Sequence, residues 1–85
     1  MVWLGNMFRI VTVDHRDPTP LHEQLAAVLR ARIASGEISD KLPSEGYLQQ
    51  EYGVSRGTVR HAIDTLVSEG LVYKIAARGT FVVRR

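Results

Sequence analysis

A chain of 85 residues makes one domain with a modest core. It has no cysteine, which excludes a disulfide framework and a thiolate metal site, and its three histidines, His15, His22 and His61, are too widely spaced to suggest metal ligation. A formal net charge of +2 allows nucleic-acid binding without requiring it, so the local arrangement of charge must decide. No apolar run reaches membrane-spanning length, and no basic start leads into a cleavable leader, so a soluble, cytoplasmic chain is expected.

Residues 1–17 are expected to form an N-terminal arm, either mobile or adding a short edge strand. Within it, Met7 to Val13 has strand-forming composition, and Met7 is an alternative start. A polar linker runs from Asp14 to Asp17. The domain proper then spans residues 18–85. Its first helix is expected to start with Thr19 as N-cap and Pro20 at N1, where a missing N–H costs nothing. Leu21, Leu25, Val28, Leu29 and Ile33 form its apolar face, and Arg30 and Arg32 lie on its solvated side. Gly36 closes it.

A short connection from Ile38 to Leu42 follows, with a very short strand possible in composition at Asp40–Leu42. Ser44 is expected to cap a second helix that stops at Gly53, with Glu45 complementing its positive end. Gly46, in the first turn, is a poor helix former, costing about 1 kcal/mol against alanine.

Only Gly53-Val54 separates this helix from the third, capped by Ser55 and running over residues 55–69. Val59, Ala62, Ile63 and Leu66 repeat at helical spacing and form its buried face, and Gly70 ends it. The other face begins with Ser55, Arg56, Gly57, Thr58, Arg60 and His61, with no acid before Asp64. Cations at a helix N-terminus oppose the macrodipole, so stability does not explain Arg56 and Arg60, whereas an external anion such as a phosphate backbone does. Within the helix, Asp64 is the i+4 partner available to Arg60, a pair worth about 0.2–0.5 kcal/mol.

Two short helices joined by a tight glycine-containing turn make a helix-turn-helix with Val54 in its core. Two β-rich runs, Leu71–Ile75 and Thr80–Val83, joined by Ala76-Ala77-Arg78-Gly79, then make a hairpin. The expected fold is mainly α with a small β-hairpin: a winged helix-turn-helix of three helices and a C-terminal wing over residues 71–83. Lys74 and Arg78 on the wing are placed to reach a phosphate backbone or a minor groove. Paired carboxylates, a nucleophile–base set, a phosphate-binding glycine loop and a metal cluster are all missing from the sequence, so neither catalysis nor a cofactor is expected.

These residues resemble the DNA-binding domain of GntR-family bacterial transcription regulators from about Pro20 to Val83. The resemblance rests on Pro20-Leu21-His22-Glu23-Gln24-Leu25, Ile33-Ala34-Ser35-Gly36-Glu37-Ile38, Leu42-Pro43-Ser44-Glu45, Tyr52-Gly53-Val54-Ser55-Arg56, Thr58-Val59-Arg60, Glu69-Gly70-Leu71-Val72 and Arg78-Gly79-Thr80-Phe81-Val82 in that order. The Arg-Gly-Thr-Val-Arg core and the Leu-Val-Tyr entry to the wing look most like the HutC-type branch.

The resemblance implies sequence-specific binding of double-stranded DNA by a regulator, most often a repressor, with residues 55–69 in the major groove and the wing at the adjacent minor groove or backbone. It assigns Arg56 to base edges, guanine above all, where a guanidinium pairs with O6 and N7. Arg60 is expected on base or phosphate, and Ser55 and Thr58 as hydroxyl contacts. Arg78, Gly79 and Thr80 are expected at the wing tip, and Ser44, Gly57, His61 and Lys74 complete the contact set. The family acts as homodimers on near-palindromic operators and senses effectors through a C-terminal domain, so no effector site is expected in these residues.

Three positions depart from the family pattern. Gly46 stands where an arginine usually contacts DNA, Gln49 where alanine is common, and Ala77 where the wing often has a glycine. The alternative function is a winged helix used for protein interaction or dimerisation. Arginines and hydroxyls on the third helix count against it.

Overall fold

The computed structural model describes residues 12–84. The expectations for residues 1–11, including the strand composition from Met7, lie outside the described residues. The elements are α1 (Leu21–Ala34), α2 (Glu45–Tyr52), α3 (Arg56–Ser68), β1 (Val72–Ile75) and β2 (Gly79–Val82). This is the expected winged helix-turn-helix. No helix among the described residues is long and apolar enough to cross a membrane.

The apolar stripes meet in one core. Leu25, Val28 and Leu29 of α1, Leu48 of α2, and Val59, Ala62, Ile63 and Leu66 of α3 are buried together, with Leu42, Val54 and Val72 closing the gaps. Transfer from water stabilises a fully buried Leu or Ile by about 1.5–3 kcal/mol, so these few side chains carry most of what holds the domain together. α1 packs across α3, leaving α2 to sit against α3 alone among the major helix contacts. Arg30 of α1 braces that crossing with a two-pronged bond to Glu69, donating from Nε at 2.9 Å and from Nη2 at 2.7 Å. Those hydrogen bonds lower the Glu69 carboxyl from its ordinary value.

α1 starts one residue later than expected. Pro20 is the N-cap, with φ −52° and ψ 140°, and no side chain caps the helix. The reason is local. Proline keeps the preceding residue extended, and the Thr19 backbone is already engaged: its N–H donates to Asp17 Oδ1 at 2.8 Å and its carbonyl accepts from Gln24 Nε2 at 2.8 Å. The Pro20 carbonyl instead takes the first helical bonds, from the Glu23 and Gln24 N–H groups.

The segment before α1 is fastened to the domain at several points. Val13 packs against the core, and the Asp14 N–H donates to Gln24 Oε1 at 2.9 Å. His15 Nε2 lies 3.1 Å from the Tyr52 carbonyl at the end of α2. A carbonyl only accepts, so that nitrogen carries the hydrogen.

The turn between α2 and α3 needs Gly53, whose φ of 63° is left-handed. The next residue, Val54, drops into the core, and its N–H donates to the Gln49 carbonyl at 3.1 Å. α3 ends in a Schellman turn: Gly70 N–H donates to the Val67 carbonyl and Leu71 N–H to the Leu66 carbonyl, both at 3.0 Å. The chain thus leaves α3 directly into the wing. β1 and β2 pair antiparallel, with Tyr73 opposite Phe81 and Ile75 opposite Gly79. The short strand expected at Asp40–Leu42 is reduced to one bridge, Lys41 to Phe81.

At the wing tip, Ala77 has φ 64°, the left-handed region that disfavours a Cβ by about 1–2 kcal/mol. Ala77→Gly should therefore stabilise the domain by about 0.5–1 kcal/mol after the extra backbone entropy of glycine is deducted. Thermal melting should show a rise of a few degrees, and a fall would mean that the tip relaxes out of this conformation without cost.

Candidate nucleic-acid interface

The exposed first turns of α3 carry the residues singled out from the sequence, and two caps set their position. Ser44 Oγ accepts from the Tyr47 N–H at 3.1 Å and Ser55 Oγ from the Thr58 N–H at 3.1 Å. Ser55 also donates its hydroxyl to Thr58 Oγ1 at 3.1 Å. Its single hydrogen is thus used within the protein, while the Thr58 hydroxyl hydrogen stays available to an outside acceptor. Ser44 and Ser55 act first as helix caps.

The cations divide by partner. Arg60 Nε donates to Glu45 Oε1 at 3.2 Å, across from α3 to the first turn of α2. Lys74 Nζ donates to Asp64 Oδ1 at 2.6 Å, tying the wing to α3. The Arg60–Asp64 pair that helical spacing makes available within α3 gives way to two pairs between elements. Both acids have a closer cation on a neighbouring element, and the tertiary packing outweighs the i+4 spacing. Arg30 and Arg32 of α1 are likewise engaged: Arg32 donates to Tyr52 Oη at 2.6 Å and to Glu37 Oε2 at 3.0 Å. Burial raises the Tyr52 hydroxyl, with Arg32 opposing the shift. Among the described arginines, Arg56 and Arg78 alone have no carboxylate partner. Both are exposed, one at the start of α3 and the other at the wing tip.

His61 turns toward α1 and stacks on His22, with ring centroids 3.6 Å apart and planes 11° from parallel. His22 Nδ1 is buried without a hydrogen-bond partner. Gly57 and Gly46 need no glycine for the fold: neither has a left-handed φ, and an added Cβ would meet only Ser55 Oγ at 3.9 Å at position 57 and nothing at position 46. Both lie on exposed first turns, where a missing side chain lets another molecule come close to the backbone. Gly79 and Thr80 begin β2 beside Arg78. No group of three or more potential ligands among the described residues could hold a metal ion.

Two further residues border these side chains. Glu45 was recognised as a helix-end charge, yet it also orients Arg60. Lys41 was placed in a connecting segment, yet its side chain reaches the wing tip at Gly79. Only the crossing of α2 over α3, and of residue 41 beside β2, reveals either.

Residues 21–82 match the family described as "Bacterial regulatory proteins, gntR family". The chain is 39% identical over 74 residues to the HTH-type transcriptional repressor NagR of Bacillus subtilis (strain 168), covering 85% of this chain and 30% of NagR. It is 36% identical over 67 residues to the histidine utilization repressor of Klebsiella aerogenes, covering 76% of this chain and 28% of that one. Among solved structures it is similar to AraR(DBD) in complex with operator ORX1, with a TM-score of 0.78, 38% identity, and coverage of 86% of this chain and 96% of that chain. The chain belongs to the GntR family, and it spans under a third of the length of these curated relatives.

The Glu45–Arg60 pair is exposed and worth at most about 1 kcal/mol to stability. Glu45→Gln should leave the melting temperature nearly unchanged. It should also narrow the ratio of affinities between a selected DNA site and a mixed duplex, because Arg60 loses its fixed bearing and the surface loses a repulsive charge. An unchanged ratio would show that Arg60 needs no orienting partner.

Proposed function

We propose that this domain binds double-stranded DNA in a sequence-specific manner as the DNA-binding part of a bacterial transcription repressor. The observation that carries this reading is Arg56: an exposed guanidinium on the first turn of α3, with no carboxylate partner among the described residues. Nothing among the described residues explains a cation at that end of a helix, and a DNA groove does. The operator complex of the similar AraR(DBD) supports the same reading.

In this reading α3 enters the major groove. Arg56 reads a base edge, Arg60 follows on base or phosphate, and the free Thr58 hydroxyl hydrogen and the open backbone at Gly57 meet phosphate. Ser44 and Ser55 hold the helix ends that face the backbone, and His61 lies at the groove edge. The wing, with Lys74, Arg78, Gly79 and Thr80, rests on the adjacent backbone or minor groove. Two copies bind a near-palindromic operator, since a two-fold pair of helix-turn-helices reads two symmetric half-sites. The cytoplasm is the compartment that fits this task.

Arg56→Ala is expected to weaken binding to a site selected from a random-duplex library by about 1–3 kcal/mol, and binding to mixed duplexes by less. Equal losses on both would remove Arg56 from base reading. If the wild-type domain binds no duplex even in low salt, the interaction-module reading gains instead.

Lys74 is the test of the wing. If it gives its charge to a phosphate, Lys74→Ala should flatten the dependence of log affinity on log salt by about one unit. An unchanged slope would leave Lys74 as a tether between the wing and Asp64.

A further inference from the structure

One exposed cation, Lys41, lies outside the contacts carried over from the family pattern. A cleft of about 320 Å³ opens between the start of α2 and the wing, lined in part by Lys41, Ser44, Glu45, Arg78, Gly79 and Thr80. Lys41 is held at this cleft by its backbone. It bridges to Phe81 on the outer edge of β2, the Leu42 N–H donates to the Thr80 carbonyl at 2.9 Å, and the Val82 N–H donates to the Asp40 carbonyl at 2.7 Å.

The side chain then runs toward the wing tip across Gly79. A Cβ built on Gly79 would come within 2.7 Å of Lys41 Cε and 3.5 Å of its Nζ, so the glycine leaves the track along which the lysine lies. The ammonium stands 5.9 Å from the Phe81 ring centroid, a contact that favours a cation there. Lys41 makes no ion pair with a described carboxylate, and neither does its neighbour across the cleft, Arg78. The acid in the cleft wall, Glu45, is already paired with Arg60. The cleft is therefore lined by two cations that have no ion pair with a described carboxylate, beside the start of α2.

We propose that Lys41 and Arg78 hold neighbouring phosphates of one DNA strand at this cleft, so that the strand passes between the start of α2 and the wing. The proposal rests on the DNA-binding reading above and adds Lys41 to the contact surface. It also gives Gly79 a second role: besides permitting its own backbone conformation, with φ 124°, it keeps the lysine's path open. A phosphate held here fixes the wing relative to α3 and sets the register of the domain on the duplex without reading sequence.

The test is a fluorescence titration of wild type, Lys41→Ala, Lys41→Arg, Arg78→Ala and the Lys41→Ala/Arg78→Ala double variant against a mixed-sequence duplex over a range of salt. Thermal melting checks that each variant is folded, which exposed positions should allow. Each alanine variant should weaken binding and reduce the salt slope by about one unit, the double variant should reduce it by about two, and Lys41→Arg should keep the wild-type slope. A Lys41→Ala variant with the wild-type slope overturns the phosphate grip, whatever its affinity, while wild-type binding to the duplex leaves the broader reading standing. A wild-type domain that binds no duplex overturns the broader reading, and this one with it.

Discussion

The short turn from α2 to α3 is the constraint on which the rest of the molecule depends. Gly53 turns the chain through a left-handed conformation, Val54 is buried at once, and Ser55 caps the next helix. With so few residues between them, the two helices have little freedom in their crossing. Leu48 of α2 and Val59, Ala62, Ile63 and Leu66 of α3 then close on the same core as α1. Burying that face of α3 turns Arg56, Gly57, Thr58 and Arg60 outward together. The exposed cationic surface is thus a consequence of the core: the helix presents its cations because its apolar stripe has only one place to go.

Electrostatics refines this arrangement between elements. Glu45 on α2 holds Arg60, Asp64 on α3 holds Lys74 of the wing, and Glu69 at the end of α3 holds Arg30 of α1. Each of these pairs is exposed and contributes little to stability by itself. Their combined effect is geometric. They set the wing and the two helices of the helix-turn-helix at defined positions, and they leave Arg56, Arg78 and Lys41 as cations without an ion pair to a described acid. The charges available to an outside anion are therefore at the start of α3, beside the start of α2 and at the wing tip. A net charge as small as +2 is compatible with this because most of the acids are spent in pairs on and between the elements.

Much of this was legible in the residues. The helical stripe of α3, the caps at Ser44 and Ser55, the glycine stops at positions 36, 53 and 70 and the hairpin around Arg78-Gly79 are all local signals, and local chemistry decides them. What local chemistry could not decide was pairing. Asp64 lies at helical spacing from Arg60, yet it bonds Lys74, because the wing folds back onto α3 and brings a closer ammonium. Lys41 read as part of a connecting segment, because its position beside Gly79 follows from a single bridge to Phe81. α1 starts one residue beyond the expected position because the Thr19 backbone is held by Asp17 and Gln24, bonds that compete with the expected cap. His61, in turn, has its neighbour on α1, which no spacing within α3 could foretell.

The central claim is that the exposed first turns of α3, with the wing beside them, form the surface that meets DNA. Mapping backbone amide shifts by NMR, on an isotope-labelled domain titrated with a duplex, tests it most directly. The account predicts that the largest changes fall between Ser55 and His61 and at Arg78 to Thr80, while the outward face of α1 stays still. Changes centred on α1, with α3 unmoved, would contradict it.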